Sequence, residues 1–220
     1  MPASTLSAVI FDLDGTLVDS EVPGLDVLHE EAVKLGVAIT RDEAHAEFRG
    51  KRMSLCIAAI GNRLAVRPPD FERTFTAHIR HAMAERFRQG LNPMPGALEL
   101  VARLRRPHCI ATNGPREKAE LTLGLTGLLS HFQDRLFCAY EVGHFKPDPG
   151  LFLHAAKAMD TPPERCAVIE DSLPGIEAGL AAGMQVLALC KPALLPDALT
   201  DRVRLIDGLP ALDRLLHGGH

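Results

Sequence analysis

No stretch of the 220-residue chain is apolar for long enough to cross a bilayer, and its longest apolar runs are strand-sized. The first residues, Met1-Pro2-Ala3-Ser4-Thr5, lack a basic segment followed by an apolar one, so no secretory signal is expected. Nor is there a large excess of one charge. With 24 Lys+Arg against 28 Asp+Glu the formal net charge is -4, which argues against nucleic acid or an anionic membrane as the main partner. That balance still suits a phosphate substrate, because a metal ion and a few cations reverse the field locally. Cysteines are sparse: Cys56, Cys109, Cys138, Cys166 and Cys190 are odd in number, form no CxxC pair and are accompanied by no histidine motif. They read as small apolar liners of strands and helices, and a reducing cytoplasm is the expected location. Internal repeats and low-complexity tracts are also missing.

What is present is an alternation of short apolar runs with helix-length amphipathic stretches, the pattern of an α/β domain with a parallel sheet. Ala8-Val9-Ile10-Phe11, Cys109-Ile110-Ala111, Leu136-Phe137-Cys138, Ala167-Val168-Ile169 and Val186-Leu187-Ala188-Leu189 are the expected core strands, with Arg204-Leu205-Ile206 as a possible edge. Ala97, Leu98, Leu100, Val101 and Leu104 recur at helical spacing, as does the stretch 174–182 before Gly183. Residues 21–92 break the alternation with helical patterning and no convincing strand. Leu25, Leu28, Ala32 and Leu35 share a face there, Gly36 is a stop, and Pro68-Pro69 separates later helices. The expected organisation is a Rossmann-like parallel-sheet core, residues 1–19 and 93–220, with an all-helical domain inserted over 20–92, hinged near 16–21 and 90–96.

Ligands of open α/β sheets bind at the carboxyl ends of strands, so the polar residues just past each apolar run matter most. Asp12-Leu13-Asp14-Gly15 follows the first run. Two carboxylates spaced by two residues share a face while the backbone stays extended, and can hold a hard cation or divide attack and proton transfer between them. A solvated acidic turn has the same residues, and so does a calcium loop, although the twelfth position of such a loop would be Pro23 rather than Glu. Thr112-Asn113-Gly114 ends the second run before Pro115. Its hydroxyl and its backbone N–H groups suit an anion, and they equally suit a plain β–α turn. Lys146 stands in the Pro-rich Lys146-Pro147-Asp148-Pro149, which can fix a point charge between a phosphate and a carboxylate, or simply be an exposed loop. Glu170-Asp171-Ser172 closes the run at 167–169; two adjacent acids repel unless a cation sits between them, and the same residues also suit a helix cap.

The order of these four stations resembles the haloacid dehalogenase superfamily, beginning with Asp12-x-Asp14-Gly15-Thr16-Leu17-x-Asp19-Ser20. The resemblance spans essentially the whole chain. It implies that Asp12 is a covalent nucleophile and Asp14 the general acid/base of a phosphatase. The dehalogenases that named the family lack the second Asp, because a departing halide needs no proton. It further implies that Thr112, Asn113, Gly114 and Lys146 bind phosphate, and that Asp12, Asp14 (through its carbonyl), Glu170 and Asp171 hold Mg2+. The helical insertion resembles the C1 cap of the subfamily that includes β-phosphoglucomutase and sugar-phosphate phosphatases. In that cap Arg49, Gly50, Lys51 and Arg52 fall where substrate is contacted; they also read as a solvated basic helix end. The mutase carries a histidine twelve residues after the nucleophile, where this chain has Gly24, and His29 reads as a surface or core-edge residue. Phosphonate hydrolases of the family use a cap lysine, for which Lys34 and Lys51 are the nearby candidates. Receiver-like signalling modules share the acidic cluster, Thr and Lys, at about half this length and without a cap. The reading is a Mg2+-dependent phosphatase of a small phosphorylated metabolite, a sugar phosphate or phosphorylated sugar acid, acting as monomer or homodimer. The terminal His217-Gly218-Gly219-His220 is set aside from function.

Overall fold

Apolar side chains on both faces make Ala8–Phe11 a fully buried strand, β1, and it lies in the interior of the sheet. The computed structural model describes residues 6–132 and 134–217. In chain order its strands and α-helices are β1, α1 (Glu21–Lys34), α2 (Arg41–Phe48), α3 (Met53–Gly61), α4 (Phe71–Arg88), α5 (Ala97–Arg103), β2 (His108–Thr112), α6 (Arg116–Leu125), β3 (Leu136–Cys138), α7 (Ala139–Val142), α8 (Gly150–Ala158), β4 (Cys166–Glu170), α9 (Leu173–Ala181), β5 (Gln185–Ala188), α10 (Asp197–Thr200), β6 (Arg204–Leu205) and α11 (Gly208–His217).

The six strands are parallel in the order β3-β2-β1-β4-β5-β6. Val9 sits opposite His108 on one side and Ala167 on the other. The chain winds outward from β1 through β2 to β3, then crosses back to β4. This switch opens a crevice at the carboxyl ends of β1 and β4, where a ligand has access to both. The side chains of Ala8, Ile10, Cys109, Ala111, Val168, Val186 and Ala188 join one buried cluster with Leu151, Phe152 and Ala155 of α8 and with Ile176 and Ala178 of α9. Intervening residues face the other way, as the period of two requires, and there Phe11 meets Phe132 edge-on with ring centroids 6.2 Å apart. Four of the five cysteines are buried and Cys190 is partly so; all are free. Burial pushes the thiols of Cys56, Cys138 and Cys166 up to about 11, which fits inert packing.

The expected strands form with small shifts. The run expected at 186–189 is β5, Gln185–Ala188, and the Leu189 N–H still reaches the Glu170 carbonyl at 2.7 Å as the chain turns away. The edge at 204–206 is a two-residue strand, with the Ile206 N–H on the Ala188 carbonyl at 2.9 Å.

The chain divides into two compact units, Met1–Val18 with Asn92–His220, and Asp19–Leu91. The second is wholly helical among its described elements, α1 to α4, around Leu28, Phe48, Ile57, Ile60, Ile79 and Phe87. Leu25, Leu28 and Ala32 are buried as their spacing requires, but Leu35 is exposed. It is the residue after α1, where Gly36 at φ 84° has already turned the chain. Among the described residues no helix is long and apolar enough to cross a membrane. His217 ends α11, and 218–220 lie outside the described residues.

Because Ile10 is fully enclosed between sheet and helices, Ile10→Ala should lower the unfolding free energy by about 2–5 kcal/mol in urea titrations. A loss under about 1 kcal/mol would contradict the packing described.

Candidate active site

The site is built at the carboxyl ends of β1, β2 and β4. Asp12 directly follows β1, and its N–H continues the ladder to the Ile169 carbonyl at 2.9 Å. Beyond it the chain folds into a tight loop, with the Gly15 N–H on the Val18 carbonyl at 2.8 Å and the Val18 N–H on the Leu13 carbonyl at 3.0 Å. Gly15 has φ 85°, and a Cβ there would overlap the Asp171 carboxylate. Glycine is therefore required both for the turn and for the approach of two chain segments.

Asp12, Glu170 and Asp171 come together, with one carboxylate oxygen from each lying within 4.8 Å of the others. Lys146 is only 3% exposed. Its Nζ donates to Asp12 Oδ1 at 2.5 Å and to Glu170 Oε1 at 2.6 Å, and lies 4.8 Å from the Phe152 ring centroid. Burial alone would drive off the lysine proton, but the two carboxylates outweigh it and hold Lys146 well above its ordinary range. Burial is also the largest influence on Asp12. Together with the nearby Glu170 and Asp14 carboxylates it outweighs the pull of Lys146, and the Asp12 carboxyl rises to about 7.

Three carboxylates, Asp12, Glu170 and Asp171, stand here with one buried ammonium, so the cluster carries more negative than positive charge. A divalent cation suits the donor set, since all three members offer hard carboxylate oxygens. Glu170 is fully buried and accepts four hydrogen bonds, from Lys146, the Asp171 and Ser172 N–H groups and the Ser172 hydroxyl, at 2.6–3.1 Å. It is thereby committed to orienting Lys146 and the turn into α9, and Asp171, which accepts from the Thr16 hydroxyl at 3.1 Å, completes the set. The helix cap is present too: Ser172 Oγ accepts from the Gly175 N–H at 3.3 Å.

Thr112 ends β2, and its Oγ1 accepts from the Gly114 N–H at 3.0 Å. The Gly114 amide, expected to face an anion, is thus spent locally, while the accepting hydroxyl keeps its own proton to donate. Asn113 does something spacing did not suggest. Its side chain clamps the Lys146 backbone, accepting from the N–H at 2.9 Å and donating to the carbonyl at 3.3 Å. The Asp14 side chain lies outside the three-carboxylate group and pairs with Lys118 Nζ at 2.8 Å. Sequence reasoning missed Lys118, which carries no signal beyond being a lysine near a helix start.

In the helical unit Arg49 pairs with Glu21, so it is not a loose cation. Gly50 has φ 70°, and Lys51 and Arg52 are exposed. Lys34 is exposed and paired with Glu31 at 2.6 Å, which raises it, the reverse of what an amine nucleophile needs. Gly24 is buried, and a Cβ there would lie at ordinary contact distance, 3.5 Å, from the Met83 methyl. His29 is half-buried in α1.

A family model described as haloacid dehalogenase-like hydrolase matches residues 6–183. The chain is 32% identical over 204 residues to 6-phosphogluconate phosphatase of Escherichia coli (strain K12), covering 90% of each. It is 32% identical over 192 residues to hexitol phosphatase A of the same organism, covering 85% of this chain and 84% of that one. A crystal structure of a HAD family hydrolase from Deinococcus radiodurans R1 with bound phosphate and sodium superposes with a TM-score of 0.73 at 30% identity, covering 97% of this chain and 98% of that one.

A Cβ at position 175 would fall inside the Glu170 carboxylate. Helix propensity alone makes Gly175→Ala stabilising by up to about 1 kcal/mol, whereas displacing a fully hydrogen-bonded buried acid costs about 1–3 kcal/mol. Net destabilisation in urea titrations is expected, and a gain in stability would show that Glu170 is not fixed as described.

Proposed function

The chain belongs to the haloacid dehalogenase-like hydrolases and is a phosphatase, and from that premise we propose that it hydrolyses a sugar phosphate or phosphorylated sugar acid through a phosphoryl-Asp12 intermediate. The observation that carries the reading is the gathering of Asp12, Glu170 and Asp171 within 4.8 Å of one another, with the buried Lys146 on the first two.

Asp12 and Asp171, with the Asp14 carbonyl and Glu170 in support, would hold Mg2+, which when bound supplies positive charge to the phosphoryl oxygens and to the nucleophile. Asp12 is the attacking group. Lys146 sets its orientation and offsets its charge, so the carboxylate stays in place in a setting that would otherwise favour its protonation. The Thr112 hydroxyl and the Asn113 backbone N–H are assigned to the phosphoryl oxygens. Asp14 gives a proton to the departing oxygen and later takes one from the water that cleaves the acyl phosphate. Two modest steps replace one difficult one.

The helical unit is assigned the part of a cap that selects the substrate, with the exposed Lys51 and Arg52 facing a substrate anion. Relatives named for 6-phosphogluconate and for hexitols support a phosphorylated sugar or sugar acid. Buried Gly24, at the position where the mutase has its histidine, favours hydrolysis over mutase chemistry. The free buried thiols are consistent with action in a reducing cytoplasm.

Phosphate release from a panel of sugar phosphates and phosphorylated sugar acids tests this. Activity should require Mg2+, vanish with EDTA, return on Mg2+ addition, and fall by roughly a thousandfold or more in Asp12→Asn. Appreciable turnover by Asp12→Asn would remove the mechanism.

A further inference from the structure

Lys118 is the third residue of α6. A cation in the first turn of a helix opposes the helix dipole, and its long side chain would ordinarily extend into water. Here it turns back along Gly114, where a Cβ would come within 3.9 Å of Lys118 Cδ and 3.7 Å of Asp14 Oδ2. Its Nζ ends 2.8 Å from that same Asp14 oxygen. The two side chains are about equally shielded, 31% and 25% exposed. The other lysine of the site, Lys146, is occupied with Asp12 and Glu170 and holds the nucleophile. The two cations thus divide the carboxylates between them, one holding the group that attacks and one holding the group that handles the proton.

Resting on the phosphatase reading above, we propose that Lys118 is a positioning residue that anchors the Asp14 carboxyl where it meets the departing oxygen. As the Asp12 oxygen–phosphorus bond forms, the bond from phosphorus to the departing oxygen breaks, and a proton carried on Asp14 Oδ1, the oxygen not facing Lys118, passes to that departing oxygen. Lys118 itself exchanges no proton and makes no contact with the phosphoryl group. An unanchored Asp14 turns about its side-chain bonds, and proton transfer demands hydrogen-bond reach.

The test compares kcat/KM for the best sugar phosphate of the panel with that for p-nitrophenyl phosphate, in wild type, Lys118→Met, Lys118→Arg and Asp14→Asn. The ratio kcat/KM reports events only up to formation of phosphoryl-Asp12, and a nitrophenolate leaves without needing a proton while a sugar alkoxide does not. Lys118→Met should lose about 10- to 100-fold on the sugar phosphate and no more than about threefold on p-nitrophenyl phosphate. Lys118→Arg should recover most of the loss, and adding Lys118→Met to Asp14→Asn should cost nothing further on the sugar phosphate. Equal losses on both substrates, no loss on either, or additive losses in the double variant would overturn the assignment. A loss confined to carboxylated substrates would also overturn it, by making Lys118 a substrate contact. Wild-type inactivity on every phosphate ester would instead defeat the phosphatase reading itself, so the two failures are distinguishable.

Discussion

A buried ammonium shared by two carboxylates organises this molecule. Removing Lys146 and its partners from water carries a penalty of several kcal/mol per ion, recovered only when geometry and further hydrogen bonds are good. The structure meets that demand from several directions at once. Asn113 grips the backbone of residue 146, Glu170 is held by its own following turn, and Asp12 is fixed by the ladder that joins β1 to β4. Three strand ends must be in register before the charges are satisfied, so a correct sheet and a formed site are nearly the same condition.

The same constraint explains the glycines that matter. At 15 and 175 the backbone passes so close to the Asp171 and Glu170 carboxylates that a side chain would displace them. Burial above all, with the neighbouring Glu170 and Asp14 carboxylates, raises Asp12 to about 7, and a hard divalent cation would suit the crowded carboxylates. Stability and chemistry pull in opposite directions at this spot, as is usual where function is stored.

Much of the architecture was legible in the residues. The runs at 8–11, 109–111, 136–138 and 167–169 are apolar on both faces, which a parallel sheet covered by helices demands, and acidic or hydroxyl residues just past them had to lie at one edge. The shift of β5 and the exposure of Leu35 lay beyond this reading, because a strand or helix ends where its hydrogen bonds stop, which composition does not record. The pairings inside the site and within the helical unit were equally hidden. Asn113 with Lys146, Lys118 with Asp14 and Arg49 with Glu21 join residues far apart along the chain, and nothing local to either partner announces the other. Gly114 shows the converse: its amide had a distant role assigned, and a neighbouring hydroxyl two residues back takes it.

The central proposal is that Asp12, the carboxylate on which the buried Lys146 ends, itself becomes phosphorylated. Acid-quenching the protein during turnover of a sugar phosphate with Mg2+, then mapping peptides by mass spectrometry, tests it most directly. The account predicts a phosphoryl adduct on the peptide carrying Asp12, cleaved by hydroxylamine as an acyl phosphate and lost in Asp12→Asn. An adduct on another residue, or turnover with Asp12 unmodified at every quench time, would contradict it.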